Sequence, residues 1–261
     1  MAIQRVVIPD TGNDEAGFKL CFGYAKAIIE DGQSKIARII LLVHTKQELT
    51  GTDLPGYLGA ATAKTLADNG AVKFAGVELR AATLKTLSSI QNGTLILAFW
   101  ADGKMMDVVD GLRHDGAVIA YPWPADALDP WIATWNPHVH GQVAAPAQPL
   151  ITDPIVEAAL RGMTIVMNLS NTGLHSRYKE SADRMLRILR AKNHVIEPDK
   201  IRQWAVRNKW HPGAADDFAK LATKIAGLKS KPSLNSIENG LGTYQHWQQS
   251  AQGTAGAPPT I

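Results

Sequence analysis

Residues 93–123 read GTLILAFWADGKMMDVVDGLRHDGAVIAYPW, an apolar run, a helical pattern and a second apolar run. Thr94–Trp100 is a continuous apolar run without alternation, the pattern of a strand buried on both faces. Ala101–Gly103 is a polar turn. Met105, Met106, Val109 and Leu112 then recur near helical spacing, Gly116 ends the helix, and Ala117–Tyr121 is a second buried strand. Strand, helix and strand in this order make a βαβ unit, so the sheet is parallel. In such sheets ligands gather beyond the carboxyl ends of the strands, which here means around Asp102.

Toward the N-terminus, Arg5–Ile8 reads as the first strand and residues 16–31 as a helix with Phe18, Phe22, Ala25 and Ile28 on one face. Ala37–Val43 is a second buried strand with His44 and Thr45 at its end. Leu58–Asn69 reads as a helix, Val72–Leu79 as a weaker third strand, and Ala82–Ile90 as another helix. Toward the C-terminus, Pro122–Pro149 holds six prolines and three of the seven tryptophans, an arm that covers the site, clasps the domain or joins copies into a homo-oligomer. Asp153-Pro154 opens a helix ending at Gly162, and Met163–Leu169 reads as a sixth strand. The expected fold is therefore α/β: a doubly wound, mostly parallel, six-stranded Rossmann-like sheet over residues 1–170. A trihelical module over 171–231 and a tail over 232–261 follow.

Composition bounds the function. The chain is 45% hydrophobic and 20% charged, as ordinary globular proteins are. One cysteine, Cys21, excludes an internal disulfide and reads as a packed thiol. The apolar runs are too short to span a bilayer, and the N-terminus enters a strand directly, so a cytoplasmic protein with no membrane partner is expected. Net charge is +3, unevenly placed: residues 1–160 carry 12 Lys+Arg against 17 Asp+Glu, and residues 161–231 carry 15 against 6. That basic half suits a nucleic acid or nucleotide partner. Arg184, Arg187 and Arg190, three apart and off the apolar stripe, form the expected nucleic-acid face, with Arg202, Arg207 and Lys209 on the next helix.

Acidic residues follow or end several strands: Asp10 and Asp14 after the first, Glu78 late in the third, Asp102 after the fourth. With the common strand order 3-2-1-4, the first and fourth strands are neighbours and Asp10 approaches Asp102 across the switch point. Asp10, Asp14 and Asp102 are then candidate ligands for Mg²⁺ or Mn²⁺, with Asp10, Asp102 and Glu78 the candidate catalytic set. Asp14 in the first turn of a helix is equally explained as a cap. Asn13 and the turn Ser170, Asn171, Thr172 are candidate ligand contacts. His138 and His140, two apart, face the same way on an extended segment, as metal ligands do. G-x-G-x-x-G, Walker A, G-x-S-x-G and C-x-x-C elements are all missing, so no nicotinamide or flavin cofactor is expected.

Asp10-Thr11-Gly12-Asn13 after a strand is similar to the D-x-x-N opening of NYN domains, the PIN-like nucleases. Gly76-Val77-Glu78 looks like that family's G-V-D segment. Leu95–Val118 resembles its strand-D-x-D-F-helix unit, with Asp102 at the first Asp, Lys104 at the second and Met105 at the Phe. The resemblance, over about residues 4–121, implies a metal-dependent (ribo)nuclease that hydrolyses phosphodiesters, with the basic helices as an RNA-binding companion. Residues 10–15 also look like the D-P-G-x-D-D turn of nucleoside hydrolases, with Ile8 where that family has a further Asp. Two readings stay open: a nucleic-acid-acting hydrolase, and a non-catalytic Rossmann-like module that binds a nucleotide or small ligand.

Overall fold

The computed structural model describes residues 3–9, 14–33, 35–112, 115–124 and 126–254. The chain divides into two compact units, Met1–Pro146 and Ala147–Ile261.

The first unit is α/β. Among the described residues its strands are β1 (Gln4–Val7), β2 (Arg38–Val43), β3 (Ala71–Phe74), β4 (Val77–Thr83), β5 (Thr94–Ala101), β6 (Ala117–Pro122) and β7 (His138–Val139). They lie in the order β3-β4-β2-β5-β6-β1-β7, one more strand than expected. Every pairing is parallel except β3 with β4. Helix α1 (Glu15–Asp31) and the short helices α2 (Leu54–Leu58) and α3 (Ala60–Ala67) cover one face, through Phe18, Phe22, Leu54 and Leu66. Helices α4 (Gly103–Gly111) and α5 (Asp129–Trp135) cover the other, through Met105, Met106, Val109 and Trp131. All eight residues of β5 and all six of β6 are buried, as their unbroken apolar runs require. Helix α1 lies close on β6 because Gly17 has no side chain: a Cβ there would come within 2.3 Å of the Tyr121 hydroxyl.

Several expectations are corrected. Residues 72–79 are not one strand but the turn of a hairpin. Phe74 faces Val77, and Ala75 and Gly76 both have positive φ (48° and 83°), the geometry of a type I′ turn. Residues 82–90 are not helical; β4 runs to Thr83 and a Thr83–Thr86 turn follows. The helix expected over 58–69 is broken at Gly59 into α2 and α3. β1 does not neighbour β5, because β6 lies between them. The Pro/Trp-rich arm contains α5 and adds β7 to the sheet edge. The indole N–H groups of Trp131 and Trp135 both donate to Asp110 of α4, at 3.1 and 2.9 Å.

The second unit is helical: α6 (Pro154–Val166), α7 (Ser176–Ala191), α8 (Pro198–Arg207), α9 (Pro212–Ala226) and α10 (Gly240–Thr254). The three helices expected over 171–231 are present. The sixth strand is not: residues 163–166 finish α6, which runs through Gly162. Val156, Ala159, Leu160 and Met163 form its buried stripe, while Ile165 and Val166 stand exposed. Losing that strand removes the reason to extend the sheet domain to 170, and the division falls at 146/147. The expected tail contains α10, which buries Trp247 and Ala251 and packs on α6 and α7. Trp210 stacks on Phe218 and donates to Thr164 of α6 at 2.9 Å.

No helix among the described residues is long and apolar enough to cross a membrane.

Candidate functional site

The carboxyl edge of the sheet holds the ends of the neighbouring parallel strands β2 and β5. The connection leaving β2 packs on the α1 face, through Leu49, Leu54 and Leu66. The connection leaving β5, α4, packs on the opposite face. β2 and β5 are hydrogen-bonded neighbours, so a crevice opens between their ends. His44 ends one side of it and Asp102 the other.

The end of β5 is built unusually. Trp100 has φ +54°, and the β5–β6 register passes from Phe99↔Tyr121 to Ala101↔Pro122, skipping Trp100. A bulge with a left-handed non-glycine residue is strained, and strain of this kind concentrates at functional edges. It aims the Trp100 carbonyl at His44, whose Nε2 lies 3.0 Å away. A carbonyl only accepts, so Nε2 carries the proton. Asp102 Oδ2 is 3.9 Å from the same nitrogen, beyond hydrogen-bond reach but within ion-pair range when the ring is charged. Asp102 Oδ1 caps α4, accepting from Met105 N–H at 2.7 Å, which leaves Oδ2 toward the crevice. Glu48 accepts from the His44 backbone N–H at 2.8 Å, closing the turn after β2. Beside it, Lys46, Asn69, Thr83 and Thr86 line a small recess at the end of β4. His44 and Glu48 form part of the site without being sequence candidates; His44 directly after a buried strand is the signal that marks it.

The other candidates disperse. Asp10 and Asn13 lie outside the described residues. Asp14 caps α1, accepting from Gly17 N–H at 2.8 Å. Glu78 is aligned with Arg38 at the start of β2, which in turn is aligned with Thr94 at the start of β5. It therefore sits at the opposite edge from Asp102, more than about 20 Å along the strands. The hairpin explains this, since it makes Glu78 early in its strand rather than late. Glu78 is exposed and bound to Arg80 at 2.8 Å, a hydrogen bond that holds its carboxyl below the usual range. Lys104 is exposed and, among the described residues, makes no ion pair with Asp102. Among the described residues no group of three His, Cys, Asp or Glu is placed to hold a metal. The one cysteine, Cys21, is buried, which pushes its thiol well up in pKa.

In the second unit, Ser170, Asn171 and Thr172 sit in a turn between two helices, not at a strand's end. The Ser170 N–H donates to Asn168 Oδ1 at 3.1 Å, and the turn closes on α9 through Leu174 N–H to Asp217. The expected nucleic-acid face is largely engaged within its own unit. Arg187 pairs with Asp183 and Arg202 with Asp216, each at 2.5 Å. Arg190 donates to the carbonyls of Ala226 and Leu228, capping the end of α9. Arg184 reaches Thr243 of α10 at 3.4 Å. The Nε atoms of Arg184 and Arg190 are buried. Arg207 is half-buried and Lys209 exposed. A further cluster that sequence reading misses ties the cap of α6 and the segment after α7 to α10. His194 Nδ1 meets Asp153 at 2.6 Å, and its Nε2 meets the Tyr244 hydroxyl at 3.0 Å. Burial raises Asp153, but the bonds from His194 and two backbone N–H groups more than offset it and hold the carboxyl low. Burial and the Asp153 charge push Tyr244 up. A raised phenol is a poor nucleophile, so this cluster reads as a brace.

Residues 152–248 match the family model of a domain of unknown function, DUF1889. The match runs from the cap of α6 into α10 and stays inside the second unit. No curated protein and no solved structure matches the chain.

Proposed function

We propose that Met1–Pro146 is a doubly wound, Rossmann-like module that binds a nucleoside-class ligand between the ends of β2 and β5. One observation carries this reading: His44 and Asp102 face each other across the crevice where neighbouring strands send their connections to opposite faces. Such crevices are the usual ligand sites of open parallel sheets, and an acidic side chain there accepts ribose hydroxyls. Asp102 Oδ2 is the acceptor, the His44 imidazole held on the Trp100 carbonyl forms the facing wall, and Glu48 fixes the turn that carries His44.

The nuclease reading rests on Asp10, Asp102 and Glu78 converging on Mg²⁺ or Mn²⁺. With Glu78 at the far edge and β6 between β1 and β5, the described geometry favours binding over metal-assisted hydrolysis. The basic second unit keeps a nucleic-acid partner as a secondary proposal, resting on Arg207 and Lys209 rather than the α7 arginines.

Calorimetric titration of the full chain with ribonucleosides and their monophosphates tests the reading. Asp102→Asn keeps a good helix cap while removing the charge. The expected result is saturable binding weakened about tenfold or more by Asp102→Asn, the loss of one charged hydrogen bond. Equal affinity in the variant, or no binding by any ribonucleoside, contradicts it.

A further inference from the structure

On the α1 face of the sheet's β7 edge, three ligating side chains converge that the crevice does not use. His138 Nε2 and His140 Nδ1 each lie 3.0 Å from the Tyr24 hydroxyl oxygen. The two histidines come from the edge strand and the residue following it, two positions apart, so both project to the same face. Tyr24 comes from α1, on that face. The rings approach at centroid distances of 5.7 Å on both sides, tilted at 52° and 85°, so neither imidazole stacks on the phenol. Both meet it through their nitrogens.

We propose that His138, His140 and Tyr24 form a binding site for a divalent late transition-metal ion, Zn²⁺ or Cu²⁺. Imidazole nitrogens suit these ions, whereas Mg²⁺ and Ca²⁺ require oxygen ligands. An ion held tetrahedrally at about 2.0–2.1 Å from each donor sets the donors about 3.3 Å apart. The two spacings from the Tyr24 oxygen to the imidazole nitrogens, both 3.0 Å, differ from that by a few tenths of an ångström. His138 is exposed and His140 and Tyr24 half-buried, so an ion has a path in and a fourth position stays open to water.

The protons balance simply. Without metal, the phenol donates to one imidazole and accepts an N–H from the other. On binding, the second ring moves its proton to its other nitrogen, both facing nitrogens coordinate, and the phenol releases one proton to solvent. Metal binding should therefore release one proton and strengthen as pH rises. The ion would also tie β7, which pairs with β1 through Val6↔His138 and Val7↔Val139, to α1.

The test titrates the full chain with Zn²⁺ and with Cu²⁺, in buffers of different protonation enthalpy. Expected are one equivalent bound at micromolar or tighter affinity, release of one proton, and a phenolate-to-copper charge-transfer band that Tyr24→Phe removes. His138→Ala or His140→Ala should weaken binding at least tenfold, with circular dichroism confirming the fold. On the unaltered protein, Cu²⁺ should broaden first the NMR signals of His138, His140 and Tyr24, a readout that needs no variant to fold. Absence of binding, unchanged affinity in the histidine variants, or broadening centred on other histidines overturns the site. Tyr24→Phe with unchanged affinity and proton release overturns the phenolate as a ligand.

Discussion

Asp110 of α4 accepts both indole N–H groups of Trp131 and Trp135 on one oxygen, and the Arg5 guanidinium lies 3.5 Å above the Trp135 ring. Burial raises the carboxyl to about 6, against the pull of the Trp135 bond, the Arg5 charge and the Trp131 bond. In the unfolded chain Asp110 titrates near its ordinary value, about 3.9. Between those values the folded protein holds a proton that the unfolded chain has released, so stability falls as pH rises through about 6. The contribution is fully present below about 3.9. Asp110→Asn removes this dependence: urea unfolding should show the variant gaining on the unaltered protein by up to about 3 kcal/mol between pH 4 and pH 8. A constant difference across that range contradicts the assignment. Asp110 is not visible in sequence as a special residue, because its character depends on two tryptophans more than twenty positions away. His44 and Asp102 are legible as residues that end buried strands. Their pairing is not, since it depends on the bulge at Trp100.

Element boundaries follow local chemistry where that chemistry is decisive. The Asp153 cap and Pro154 locate the start of α6, but Gly162 does not end it, because Met163 continues the buried stripe. The apolar run 163–166 looks like a strand only when its burial is unknown; two of its members are exposed. The β3–β4 hairpin is hidden for a related reason. Its first turn residue is Ala75 at φ +48°, where Asn, Asp or Gly would announce a type I′ turn. Ala75 pays a steric penalty there that Asn largely avoids, so Ala75→Asn should raise stability by about 0.5 kcal/mol in thermal unfolding. Gly76→Ala should lower it by about 1 kcal/mol, because φ +83° is strained for any side chain. The opposite signs would show that the hairpin turns elsewhere. This turn also decides a functional question, since it sends Glu78 to the edge opposite the crevice.

At the scale of the molecule, the βαβ stretch at 93–123 predicts an α/β sheet, and a mostly parallel sheet is there. Strand order is the part that escapes sequence reading. The chain carries no signal that β1 must insert between β6 and β7, and this placement separates β1 from β5. The helical unit has its own buried side chains and its own family match, from 152 to 248. Residues 147–254 produced alone should fold with a cooperative melt and strongly helical circular dichroism; a non-cooperative chain would show that they need the sheet unit to fold. The proposed function rests on the ligand crevice between β2 and β5. Its most direct test is NMR shift mapping of the isotope-labelled full chain during titration with a ribonucleoside. A ligand held in the crevice gives saturable shifts clustered at residues 44–48 and 100–106, suppressed in Asp102→Asn. Saturable shifts confined to other strand ends or to the helical unit, or none at all, would contradict it.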